Sequence, residues 1–371
     1  MGGNGESFPL TIGTPFDSVF QYRWIPPPKR FETMTGREII QMAFDLKKPP
    51  RVPVTLIGGG AWIVQHQGKT FAQIKNDPAR IAAAFLQFYE LFRGDMLWTG
   101  SNFLNYPVHF LGCPVKDESA DSPALEGPMI RSLDEVDRLS IDKVLDHPTM
   151  QAIIHSHHRV ADAIGKETMI VPTQWAPLTL TARILGLEPL LIATIQEPEK
   201  LARLIRFSTE LTWAVMERIL EHPDIPGANL SDPVASGDVV SPQTFRQFSA
   251  PSIRDLVGRL RGRKKYAMVH ICGNTTRVLQ DILEIRPHCF SLENKVDLKT
   301  AREILGGKVC VAGNVSPTGV FLSGTPAEVK EEARACLASW GESGGYILTV
   351  GCDFPKQAPL ENLKALMSFK M

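Results

Sequence analysis

Short apolar runs recur along this chain, each closed by Gly, Asn, Asp or a charged residue, and most are followed by a stretch with helical spacing. Eight such runs read as strands: "RVPVTLI" (51–57), "DMLWT" (95–99), "TMIVPTQW" (168–175), "GANLSD" (227–232), "KYAMVHI" (265–271), "HCFSLE" (288–293), "KVCVAGN" (308–314) and "GYILTVG" (345–351). Their length and their β-branched and aromatic content fit buried strands. The helices between them have legible starts. Thr35 with Glu38 forms a capping box, and Asp77-Pro78 and Glu197-Pro198 each place proline in a first turn, where its missing N–H costs nothing. "SPQTFRQFSAPSIRDLVGRLRG" reads as a helical stretch broken at Pro251, and "TPAEVKEEARACLASW" as another helix.

Strands that alternate with helices predict a parallel sheet, and eight of them predict closure into a single (β/α)8 TIM barrel. A doubly wound α/β sheet is the competing reading. Residues 1–33, rich in Gly, Pro and aromatics, read as an N-terminal arm, leaving 34–371 as the barrel domain. The long crossover after the second strand holds an expected inserted hairpin around "FLGCPVKDESADSPALEGPMIRS".

Bulk composition narrows the function classes. Of 371 residues, 43% are hydrophobic, enough to fill one large core. Lys+Arg and Asp+Glu both number 40, so no net field favours nucleic acid or an anionic membrane. No apolar run approaches the roughly 18 residues that span a bilayer. Met1–Leu10 lacks the basic and apolar regions of a secretory signal. Six cysteines scattered over so long a chain predict a reduced, cytoplasmic protein in which some thiols serve as ligands.

In a barrel, chemistry sits where strands end and the following loops begin. The polar residues at those ends are Gln174 and Trp175, Asp232, His270 and Cys272, Glu293 and Asn294, Asn314, and Cys352 and Asp353, with Gly58–Gly60 after the first run. His270 and Cys272, at i and i+2, point to one side of an extended segment. From spacing alone this pair is either two metal ligands or a satisfied core histidine beside a buried thiol. Cys352, 80 residues beyond Cys272, joins them only if the barrel closes. Zinc takes such donors, and catalytic sites keep one position open.

Other groups read more plainly. His155 and His158 lie one helical turn apart, the spacing of a metal pair and equally of a solvated face. Cys289, Cys310 and Cys336 read as apolar fillers, Cys113 as inert, and "RLRGRKK" (259–265) as a solvated loop. No P-loop, no GxGxxG opening a helix after a strand and no GxSxG nucleophile elbow is present, which disfavours nucleotide, nicotinamide and serine-hydrolase chemistry.

"VHICGN", "SLEN", "VAGNVSP", "LSDPVASGDVVSPQTFRQFSAPSI" and "GGYILTVGCDFPKQAPLENLKAL" together resemble the uroporphyrinogen decarboxylase superfamily. More narrowly they are similar to its zinc-dependent methylcobamide:coenzyme M methyltransferase-like branch. The likeness runs from about Thr35 to Lys370. It implies Zn2+ held by His270, Cys272 and Cys352, with Glu293 as a displaceable fourth ligand. It also implies transfer of a methyl group from a methylcobalamin-type corrinoid, carried by a partner protein, to a small thiol such as coenzyme M in anaerobic one-carbon metabolism. Asp232 is expected in the catalytic set beside Glu293, and Asn274 and Asn314 in positioning the cofactor. The superfamily's decarboxylases carry an Arg motif after the first strand, and here that place reads "IGGGAWI". The alternatives are a corrinoid-linked methyltransferase acting on a methoxy, methylamine or folate donor, a decarboxylase, and a barrel whose zinc is purely structural.

Overall fold

A computed structural model describes residues 34–370. The expected arm at 1–33 lies outside the described residues. Nine strands are numbered here in chain order. Seven form one parallel sheet: β1 (Met96–Thr99), β4 (Met169–Trp175), β5 (Gly227–Ser231), β6 (Tyr266–Ile271), β7 (Cys289–Leu292), β8 (Cys310–Val315) and β9 (Tyr346–Val350), neighbours in that order. Each sits within one residue or two of an apolar run in the sequence. Both faces are covered, so the strands read as continuous apolar text with little alternation.

The first expected strand, 51–57, forms no ladder. Val54 makes a single parallel bridge to Leu348 on β9, and Leu56 a single bridge to Leu97 on β1. One segment thus touches both edges of a curled sheet without becoming a regular eighth strand. The reason is local. Pro53 has no N–H to give, and the Val54 N–H donates to the Asp95 carboxylate (2.9 Å) rather than to a neighbouring carbonyl. Asp95, fully buried, also accepts from Arg51 Nη1 (2.6 Å) and Nη2 (2.8 Å), so a side-chain clamp fastens this segment to β1.

The crossover between β1 and β4 carries β2 (Val115–Lys116) and β3 (Ala124–Leu125), paired antiparallel over two residues each. Helices cover the outside of the sheet, and the expected starts appear in place. Thr35 and Glu38 close a capping box on the helix Gly36–Phe44, and Asp77 caps Pro78–Phe92 through Ala79 and Arg80 N–H. The helical stretch is interrupted just before Pro251: Phe245–Ser249 is a π-helical turn, and Pro251 lies in the first turn of the following helix, Ala250–Gly262. Among the described residues no single helix is long and apolar enough to cross a membrane.

Candidate metal centre

The C-terminal end of the sheet gathers three of the residues singled out above. His270 is the last residue but one of β6, Cys272 lies just past the strand, and Cys352 lies two residues past β9. His270 Nε2 stands 3.1 Å from Cys272 Sγ and 3.5 Å from Cys352 Sγ, and the two sulfurs are 2.9 Å apart. Among the described residues this is the only group of three or more His, Cys, Asp or Glu whose ligand atoms converge, all within 4.8 Å. The curled sheet supplies the convergence that 80 residues of sequence separation conceal.

The donor set fits zinc. Sulfur at about 2.3 Å and nitrogen at about 2.0 Å from the ion leave any two ligand atoms no more than about 4.6 Å apart. The three separations fall inside that limit. The histidine is also held in a ligand's orientation, because its Nδ1 lies 3.0 Å from Ser291 Oγ. Ser291 is its register partner on β7, and that contact leaves Nε2 to face the sulfurs. The Trp98 indole, from β1, meets the imidazole edge-on at 5.8 Å and closes the far side. The Cys352 thiol is raised well above its ordinary value, first by the Cys272 sulfur against it and then by burial. A thiol placed like that of Cys352 gives up its proton to a cation rather than to water.

The loop after Cys272 turns on Gly273, whose φ of +73° is left-handed and whose missing Cβ makes room for Ser236 and Asp238. The Gly273 N–H donates to Glu293 Oε2, so the expected fourth acid lies beside the cysteine loop. Gly351 packs bare against the Glu293 backbone, holding the β7 and β9 ends together next to Cys352.

The asparagines act on loops. Asn314 Nδ2 donates to the carbonyls of Glu293 (3.2 Å) and Val296 (2.8 Å), which fixes the segment carrying Glu293. Asn274 accepts from the Thr276 N–H (3.0 Å) in its own turn, while its N–H reaches Asp238.

Asp232 is not brought among the sulfurs. Buried completely, it accepts from Thr179 N (2.9 Å) and Oγ1 (2.6 Å) and from Ser249 Oγ (2.7 Å). Ala176, at the start of the helix Pro177–Leu185, offers no side-chain cap, and the Asp232 carboxylate supplies one from the neighbouring strand. Burial raises its carboxyl above the ordinary value.

Asp353, which the sequence reading placed at this end without a role, follows Cys352 and accepts from the Gly59 N–H (2.9 Å). Desolvation of its carboxyl pushes it up to about 6. The triple glycine has its explanation here. A Cβ on Gly58 would overlap the Asp353 carboxylate, one on Gly59 would meet Phe88 and Phe354, and one on Gly60 would overlap Asn102.

The histidine pair on the helix Pro148–Ile164 holds no metal-type cluster. Its rings lie 6.1 Å apart, and His158 Nε2 sits 3.2 Å from the carbonyls of both Arg218 and Ile219. Ser291 and Trp98 were missed, since nothing in the linear text says which residue of one strand faces a residue of another.

Comparison with known proteins adds the lineage. The family model for uroporphyrinogen decarboxylase (URO-D) matches residues 35–370. A methylcobamide:CoM methyltransferase of Methanosarcina barkeri is 27% identical over 229 residues, 61% of this chain and 64% of that protein, so the chain matches less than two thirds of its length. A methylated-thiol–coenzyme M methyltransferase of Methanosarcina mazei is 26% identical over 71% of this chain and 68% of its own. A uroporphyrinogen decarboxylase of Paraburkholderia phytofirmans is 24% identical over 80% and 83%. In three dimensions a methyltransferase from Methanosarcina mazei matches with a TM-score of 0.81, at 22% identity, over 91% of this chain and 98% of that one.

Proposed function

The chain belongs to the uroporphyrinogen decarboxylase family, and we propose that within it this protein is a zinc-dependent methyltransferase that moves a methyl group from a methyl-Co(III) corrinoid to a small thiol. The observation that carries this reading is the convergence of His270 Nε2, Cys272 Sγ and Cys352 Sγ at the mouth of the sheet. The names of two relatives, which speak of methylcobamide and coenzyme M, support it.

His270, Cys272 and Cys352 would hold the ion, leaving one position for an outside ligand. Zinc bound there would supply a positive charge that keeps a substrate sulfur deprotonated near neutral pH, where a free thiol with a pKa of ~8.5 is mostly protonated.

The protein's own residues do the rest. Ser291 holds the imidazole, so that Nδ1–H donates to Oγ and Nε2 stays a ligand. Glu293, beside the cysteine loop, receives the proton that leaves the incoming thiol and passes it to solvent. The thiolate sulfur attacks the methyl carbon, an S–C bond forms, and the pair of the breaking Co–C bond remains on cobalt, giving Co(I) and a thioether. Asn314 and Gly351 fix the segment that carries Glu293. In this reading the corrinoid is presented by a separate protein, since the described residues 34–370 form one sheet with its helices and hold no D-x-H-x-x-G motif.

Decarboxylation, the activity named for another relative, has less support, since Gly58–Gly60 close around Asp353 where an arginine would be required. The test is anaerobic incubation with methylcobalamin and a panel of thiols, following cobalt absorbance and thioether formation. Transfer by the wild type and its loss in Cys352→Ala are expected. Absence of transfer to every thiol would refute the proposal.

A further inference from the structure

Large apolar side chains are exposed at four of the described positions: Ile195 (83%), Ile192 (46%), Leu187 (45%) and Val239 (38%). All of them follow the C-terminal ends of two neighbouring strands. Leu187, Ile192 and Ile195 belong to the helix Leu187–Gln196, which comes after β4 and the helix Pro177–Leu185, and Val239 belongs to the loop after β5. A single exposed apolar residue means little, whereas three on one short helix mark a contact face.

Leu190 and Ala193 turn inward and are buried, while Leu187, Ile192, Ile195 and the half-buried Leu191 line the outward side. A helix apolar on both sides belongs where both are covered. Hydrogen bonds fix its place. In the next helix, Pro198–Ile219, Thr212 Oγ1 donates to the Trp175 carbonyl at the end of β4 (2.9 Å), and one turn earlier Ser208 Oγ accepts from Thr181 Oγ1 (2.9 Å). Trp175 shares a register row with Ser231 and His270, so Thr212 lies level with the metal centre. From Thr212 back to Pro198 the helix extends about 21 Å further, beyond the strand end. The apolar helix thus stands as a parapet on the side toward which the sulfurs lie. Val239 is on that side too, since the Gly237 N–H donates to the carbonyl of Asn274 (3.0 Å) in the cysteine loop.

Charge and area decide what covers this face. Glu188, Glu197 and Glu199 flank it. Lys200 is engaged by Asp134 (2.8 Å) and Glu197 (2.9 Å), and among the described residues Glu188 and Glu199 have no ion-pair partner. A second copy set on the same face would bring acids against acids, and an anionic membrane would be repelled. The apolar surface exposed on the helix is roughly 300 Å², well short of the ~800 Å² that each partner of a stable complex buries. Such a face suits a partner that docks and leaves within each turnover.

We infer that the helix Leu187–Gln196 is the docking surface for the protein that carries the corrinoid, and that this partner meets it with an apolar patch rimmed by Lys or Arg. A protein-sized donor that brings its methyl group to the level of His270 must pass the raised helix, whereas a free corrinoid need not touch it. The inference rests on the methyl-transfer reading and names the surface its partner uses.

Methyl transfer to one thiol, chosen as an acceptor from free methylcobalamin, is measured with two donors. One is free methylcobalamin, and the other is the methylated corrinoid-protein fraction of the source organism, freed of small corrinoids by gel filtration. In Ile195→Asp the KM for the protein-borne donor is expected to rise about tenfold, while kcat/KM with free methylcobalamin stays within about twofold. Glu199→Lys should raise the same KM, and more at low salt than at high salt. The inference is overturned if both variants leave that KM unchanged, if both donors lose rate equally, or if the protein fraction gives the wild type no methyl group. It is also overturned if the wild type sediments as a dimer that Ile195→Asp dissociates, or binds phosphatidylcholine vesicles that the variant does not. Each of these leaves transfer from free methylcobalamin standing. Absence of that transfer to every thiol would overturn the functional reading, and the docking surface with it.

Discussion

Ser291→Ala isolates the hydrogen bond that orients the histidine. Ser291 Oγ and His270 Nδ1 are 3.0 Å apart, and the two residues are 0% and 3% exposed, so no bulk water replaces the lost hydroxyl. Ligation through Nε2 requires the proton on Nδ1, and in the variant that N–H faces a methyl group. Removing such an outer-shell partner lowers metal affinity about 10- to 100-fold, or about 1.4–2.7 kcal/mol. The unpaired Nδ1–H is expected to reduce folding stability by about 1–3 kcal/mol. Zinc titrated into metal-free protein against a chromophoric chelator reads the first quantity, and urea unfolding of the same sample the second. A variant that loses stability but binds zinc within about twofold of the wild type would show that Ser291 merely packs, and would refute the orienting role.

Other consequences follow from the same framework. Asp95→Ala removes the carboxylate that binds Arg51 and frees the buried Val54 N–H, so a loss of about 1–3 kcal/mol in urea unfolding is expected, and an unchanged midpoint would contradict the clamp. Gly58→Ala places a side chain at φ +79° and into the Asp353 carboxylate, and should lower stability by at least about 1–2 kcal/mol. His157, fully buried, is depressed from the ordinary 6.5 to about 4 by burial. The neutral ring is the folded form, so its contribution is complete above pH 6.5 and is lost as pH falls from 6.5 toward 4, by about 3 kcal/mol in all. Across that window the stability of His157→Met should fall less steeply than that of the wild type, and parallel curves would refute the assignment.

The strands were legible because a sheet covered on both faces writes itself as uninterrupted apolar text. The segment 51–57 carried the same text and still failed as a strand. Whether Val54 N–H meets a carbonyl or the Asp95 side chain depends on a residue 41 positions away. The centre shows the same boundary. His270 and Cys272 were visible as a pair at a strand end, and the likeness to a known family supplied Cys352, but their closeness belongs to the curl of the sheet. Asp232 illustrates the converse. An acid at the end of a strand reads alike whether it enters the mouth or caps a helix, and only the uncapped Ala176 beside it decides. Ser291 was an ordinary polar letter inside a strand until register placed it against His270.

Zinc K-edge X-ray absorption of the purified protein, with and without an acceptor thiol, tests the central claim most directly. One zinc per chain is predicted, with two sulfurs and one imidazole nitrogen from His270, Cys272 and Cys352, and a third sulfur in the shell once the thiol is added. A chain that binds no zinc, or a shell without sulfur that the thiol leaves unaltered, would contradict the account.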